Sequence, residues 1–66
     1  MHPDDQKVLD LIHASNSRGL TYGEIIGRSF LHEDEVRRSL RVLMIGRRVE
    51  RFWRSASAEA SYRSAV

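Results

Sequence analysis

LTYGEIIGRSFLHEDEVRRSLRVLMIGRRVERF, running from Leu20 to Phe52, decides the fold of this chain. Its periodicity gives a short helix, a sharp turn, a longer amphipathic helix closed by a glycine, and then a strand. In the longer helix Val36, Leu40 and Leu43 recur at i, i+4 and i+7, so at about 100° per residue they share one narrow apolar wedge. Arg38 and Arg41 point away from that wedge and Arg37 lies on its flank. A helix built this way can dock on a small core and still offer guanidinium groups to an anion.

Outward from this stretch, the boundaries follow from capping chemistry. Thr21 and Glu24 form the T-x-x-E of a capping box, which starts a short helix over about Tyr22 to Arg28 with Ile25 and Ile26 as its apolar face. Gly27 closes that helix or admits a neighbour, and Phe30 is expected to plug the turn that follows. The longer helix covers about Glu33 to Ile45. Leu31 and Val36 are spaced as a hydrophobic staple, Glu35 can reach back to His32, and Gly46 ends the helix. Val42 and Ile45 fall outside the wedge and are expected to be covered by the first helix or the hairpin.

Before the stretch, Pro3 to Asn16 reads as a first helix. Proline suits its first position, Asp4 and Asp5 suit the positive end of its dipole, Val8, Leu11 and Ile12 form its stripe, and Gly19 is the expected left-handed cap. After it, GRRVERFWR carries the β-branched and aromatic residues of a strand, SASAEA is small and polar, and Ser61 to Val66 reads as a returning strand. The two strands make an antiparallel hairpin over about Arg48 to Val66 with a long tip. Along the first strand Val49, Arg51 and Trp53 alternate with Glu50, Phe52 and Arg54. Phe52 and Trp53 therefore cannot both enter the core without a bulge, and Tyr62 should pack with whichever face is inside.

The expected fold class is α+β, one domain over residues 1–66 with three helices followed by a two-stranded hairpin. Sixty-six residues bury roughly 60% of the surface the unfolded chain exposes, which leaves no room for a deep enzymatic cleft. With no cysteine, disulfides and thiolate metal sites are excluded. The longest apolar run is Val42 to Ile45, so nothing spans a membrane, and the MHPDD start lacks the basic and apolar regions of a secretory signal. A soluble, cytoplasmic protein is the expectation. His2, His13 and His32 are scattered without ligand spacing, and neither a G-x-S-x-G elbow nor a glycine-rich phosphate loop is present. No cofactor, metal or enzymatic activity is expected.

Charge is distributed unevenly. Residues 1–35 carry net −4 and residues 36–66 net +6, and ten of the eleven basic residues are arginine. A basic half is the usual electrostatic footprint of a nucleic-acid binder, and the planar guanidinium fork suits phosphates and guanine edges better than lysine does.

Taken together, the L-T-x-x-E-I start of the second helix and the run Val36, Leu40, Leu43, Gly46, Val49 resemble a winged helix-turn-helix domain. The likeness covers nearly the whole chain, which is similar to small regulators of the MarR, ArsR and PadR type. It implies double-stranded DNA as the partner and a role in transcription regulation. It further implies that the third helix enters the major groove through Arg37, Arg38 and Arg41, and that the hairpin lies on the backbone through Arg51, Arg54, Ser57 and Arg63. Glu33 and Asp34 stand i, i+4 from Arg37 and Arg38, a spacing that allows intrahelical pairs. The alternative is a winged-helix protein-interaction module that uses Phe52 and Trp53 and has no DNA affinity, with a homodimer or another protein as partner.

Overall fold

The computed structural model describes residues 1–55 and 58–65. Three helices precede most of the sheet: α1 (Pro3–Ala14), α2 (Tyr22–Ser29) and α3 (Glu33–Ile45). The strands are β1 (Leu20–Thr21), β2 (Val49–Phe52) and β3 (Ser61–Ser64), and a single 3₁₀ turn, Asn16–Arg18, links α1 to β1. All three strands pair antiparallel in the order β1-β3-β2. The result is a small α+β fold with a three-stranded sheet, one strand more than the two-stranded hairpin expected. The added strand is only Leu20–Thr21, set opposite Tyr62 and Ser61.

Among the described residues nine make the core: Val8 and Ile12 of α1, Leu20, Ile25 of α2, Val36, Leu40 and Leu43 of α3, Val49 and Tyr62. The wedge on α3 is buried as its period requires. The sheet closes the core on the other side, because Val49 and Tyr62 project from the same face of β2 and β3.

Capping sets the helix starts. The Thr21 hydroxyl accepts the Glu24 N–H at 3.2 Å while Glu24 Oε1 accepts the Thr21 N–H at 3.0 Å. At α3, Glu35 Oε1 accepts the His32 N–H at 3.1 Å, and Leu31 packs against the core as the staple requires. His2 Nδ1 caps α1 by accepting from the Asp4 N–H at 3.1 Å.

Helix ends depart from the glycine signals. α1 stops at Ala14, two residues before the expected Asn16, because the Ser15 hydroxyl bonds back to the Ile12 carbonyl and Asn16 takes a left-handed φ of 57°. Gly19 is therefore not the cap of α1. It has φ 75° with ψ 177°, and an added Cβ would meet the Tyr62 carbonyl oxygen at 2.7 Å and the Phe52 ring at 2.9 Å. At the end of α3, Gly46 keeps φ −76° and Arg47 takes the left-handed position at φ 58°. Arg47 N–H then reaches the Met44 carbonyl at 3.1 Å and Arg48 N–H the Leu43 carbonyl at 2.9 Å, the paired bonds of a Schellman motif. A Cβ on Gly27 would meet nothing, so Gly27 neither closes α2 nor admits a neighbour. α2 runs on through Ser29 instead.

Three apolar residues expected inside are outside. Phe30 does not plug the turn: it caps α2 at φ 59° and is 90% exposed. The buried Ser29 fills that place, its hydroxyl accepting from Leu31 N–H at 3.2 Å. Val42 and Ile45, expected under the first helix or the hairpin, are 47% and 77% exposed. They lie on the side of α3 away from the wedge, and no described element packs over that side.

Candidate functional site

The third helix borders the sheet along one edge, and a groove of about 420 Å³ opens between them. Its floor is Leu40, Met44, Tyr22 and Tyr62, and its rim carries Asp34 and four arginines: Arg37, Arg38 and Arg41 from α3, and Arg51 from β2. Helical period and strand register together create this convergence. Positions 37, 41 and 44 follow the sheet-facing edge of the wedge, while Arg51 sits opposite Tyr62 on β3 and so shares the face that carries Val49. The Tyr22 and Tyr62 rings stack obliquely at 6.5 Å between centroids and hold α2 against β3.

The arginines are not equivalent. Arg37 is paired within the helix, to Glu33 at 3.8 Å and to Asp34 at 3.5 Å. The Tyr22 hydroxyl is buried in the groove wall without a partner in hydrogen-bonding geometry. It lies close enough to the Arg37 guanidinium to be the first cause of that group's pKa being raised above the ordinary arginine value. The charges of Glu33 and Asp34 reinforce the shift. Arg38, Arg41 and Arg51 are exposed and carry no ion pair among the described residues. The Asp34 to Arg38 pair that the i, i+4 spacing allows does not form, because Asp34 turns to Arg37.

The remaining hairpin arginines lie elsewhere. Arg63 pairs with Glu50, its cross-strand partner, and its guanidinium stacks over Phe52 at 4.5 Å from the ring centroid. Arg54 donates to the Arg18 carbonyl and lies 5.9 Å from the same ring. Both are committed to the sheet face opposite the groove, where Phe52 is half-buried over Gly19. Ser57 falls outside the described residues. Of the seven arginine and serine positions expected to contact nucleic acid, the groove thus gathers Arg37, Arg38, Arg41 and Arg51, and it leaves Arg54 and Arg63 apart. Of the two expected partner-binding aromatics, Trp53 is 61% exposed and Phe52 is not free.

Tyr22, Asp34 and Met44 belong to the groove although the sequence reading did not single them out for it. Met44 was within reach, since it stands i+4 from Leu40 and i+7 from Arg37 on the same edge. Tyr22 required knowledge of how α2 meets β3.

Glu59 from the β2–β3 connection accepts the Gly23 N–H at 2.7 Å and so ties that connection to the first turn of α2. Among the described residues no group of three or more His, Asp or Glu is placed to hold a metal ion, and no described helix is long and apolar enough to cross a membrane. Neither protein-family models nor curated proteins match the sequence.

Proposed function

We propose that this chain is a winged helix-turn-helix domain that binds duplex DNA, α3 serving as the recognition helix and the β2–β3 hairpin as the wing, in the service of transcription regulation. The observation that carries the reading is the convergence of Arg38, Arg41 and Arg51, exposed and in no ion pair among the described residues, on one groove between a helix and a strand. The three helices and the β1-β3-β2 order support the fold assignment. Arg38 and Arg41 project from the outer side of α3, where a bidentate fork on guanine contributes roughly 1–3 kcal/mol of discrimination. Arg51 stands beside them at the level of the flanking phosphates. Arg37, held by two carboxylates, positions the helix more than it reads bases.

Fluorescence anisotropy on a labelled random-sequence duplex, followed by selection of bound duplexes from a random pool at two salt concentrations, tests the reading. Enrichment of one sequence family by the native chain, lost in the Arg38→Ala/Arg41→Ala double variant, is the expected result. Equal affinity of native and double variant at moderate salt overturns it. Trp53 favours a second reading, a protein-interaction module, because its ring is exposed at the end of β2. In that case random duplex binds almost not at all, and Trp53→Ala abolishes partner capture while the melting curve is unchanged.

A further inference from the structure

Phe30 combines two features that the fold does not require. A bulky aromatic at φ 59° is a backbone outlier, since asparagine or glycine makes the same turn with less strain, and the ring is 90% exposed. At the other end of α3, Ile45 and Val42 are exposed as well, three residues apart and so neighbours on one face. The surroundings of these two apolar spots differ in sign. Glu33, Asp34 and Glu35 follow Phe30, three carboxylates against the charges of Arg37 and Arg38, while Arg28 on the preceding helix is paired with Glu24. Ile45 has Arg41 one turn before it and Arg47 and Arg48 just after it, all exposed and none in an ion pair among the described residues.

We propose that copies of this chain associate head to tail, the Phe30 end of α3 in one copy docking on the Ile45 end of α3 in the next. The thirteen residues of α3 hold the two ends roughly 20 Å apart on a rigid rod, so one molecule cannot satisfy its own patches. Charge selects the pairing. Carboxylates meet guanidiniums only when unlike ends face each other, and a symmetric contact of like ends would set equal charges together. With the two helices joined end to end rather than antiparallel side by side, the interface is heterologous, and the same contact can repeat from copy to copy. Each patch is small, which places the contact among weak, concentration-dependent associations whose charged rims respond to salt. The proposal does not rest on the nucleic-acid reading, because neither patch needs DNA to meet its complement.

Sedimentation velocity of the full chain without nucleic acid, from micromolar to millimolar concentration at low and high salt, is the test. The native chain is expected to rise above its 7.6 kDa monomer mass with concentration and to fall back at high salt. Phe30→Asn keeps the left-handed turn, and Ile45→Glu alters only exposed surface, so each variant alone should remain monomeric and retain its helical circular dichroism. Mixed in equal amounts, the two variants still possess one intact patch of each kind and should form a 1:1 dimer and nothing larger. A native chain that stays monomeric throughout, a Phe30→Asn variant that associates like the native chain, or a mixture that stays at monomer mass overturns the proposal. Phe30→Gly and Ile45→Ala replace either variant if it fails to fold.

Discussion

Removing the three unpaired guanidiniums of the groove should change how duplex binding responds to salt, and the size of the change follows from the ion pairing. Each phosphate neutralised by a protein cation contributes about −0.9 to the slope of log K against log salt concentration. Arg38, Arg41 and Arg51 stand in no ion pair among the described residues, so each can neutralise a phosphate in full. Arg38→Ala/Arg41→Ala/Arg51→Ala should therefore flatten the slope by roughly 2.7, which amounts to about 40-fold less affinity loss than the native chain between roughly 50 and 200 mM salt. Arg63→Ala is the matched control: its charge is taken by Glu50, and its ring contact lies on the opposite sheet face. It should leave the slope unchanged. Arg37→Ala should fall between, since it frees Glu33 and Asp34 to repel the backbone and so weakens binding with only part of a unit of slope lost. Anisotropy titrations of one labelled duplex at four salt concentrations give all four slopes. Equal slopes for the triple variant and Arg63→Ala would refute the assignment of the groove, whatever the absolute affinities.

Three further outcomes concern the scaffold. Gly19→Ala forces a side chain into a backbone region essentially reserved for glycine and against the Tyr62 carbonyl, so urea unfolding should show a loss of ~3 kcal/mol or more, and a loss below ~1 kcal/mol would contradict the packing around Gly19. Phe30→Asn relieves a left-handed phenylalanine that buries nothing, and should raise stability by up to ~1 kcal/mol in the same assay. Glu24 and Glu35 are held below the usual carboxylate range, first by the backbone N–H groups of Thr21 and His32 respectively, so both stabilise the fold while ionised. Their contribution is complete above the ordinary glutamate value of about 4.3 and is lost as pH falls through the lower folded-state values. Thermal melts should decline below that point, and Glu24→Gln/Glu35→Gln, which keeps neutral acceptors, should make the decline shallower.

How much of this was legible in the sequence depended on whether a feature was local. The wedge Val36, Leu40, Leu43 and the Thr21 to Glu24 box depend only on spacing within one helix, and both appear as read. The left-handed positions did not follow glycine. Asn16, Phe30 and Arg47 took them, because the residue that must turn is fixed by where the last helical hydrogen bond closes. β1 was hidden because two residues carry no alternation to detect, and Thr21 already served as a cap. Helical period placed Val42 and Ile45 outside the wedge but could not show whether another element covers that side. At the site, the three α3 arginines were visible as a cluster. Arg51 joining them, and Arg63 leaving for Glu50, depend on the pairing of Arg51 with Tyr62 and of Glu50 with Arg63, which no local pattern reveals.

That register also explains why the groove carries positive charge on an otherwise balanced surface. β2 alternates Val49, Glu50, Arg51 and Phe52, so its one acid and its one aromatic share a face and its one base stands on the other. The acid then meets Arg63 across the ladder and cancels it, while Arg51 meets only the hydroxyl-bearing ring of Tyr62 and stays uncompensated. On α3 Glu33 and Asp34 are both drawn to Arg37, the first arginine they can reach, and neither Arg38, the next residue, nor Arg41, one turn after Arg37, stands in an ion pair among the described residues. A one-residue slip of β2 against β3 would reverse the first of these outcomes, placing Glu50 at the groove and Arg51 behind the sheet. A duplication of Glu50, inserted directly after it, imposes such a slip on the far half of the strand. It should weaken duplex binding more than Arg51→Ala does, since it also brings a carboxylate to the groove, even where the three helices of that variant remain folded, as measured by anisotropy beside far-ultraviolet circular dichroism.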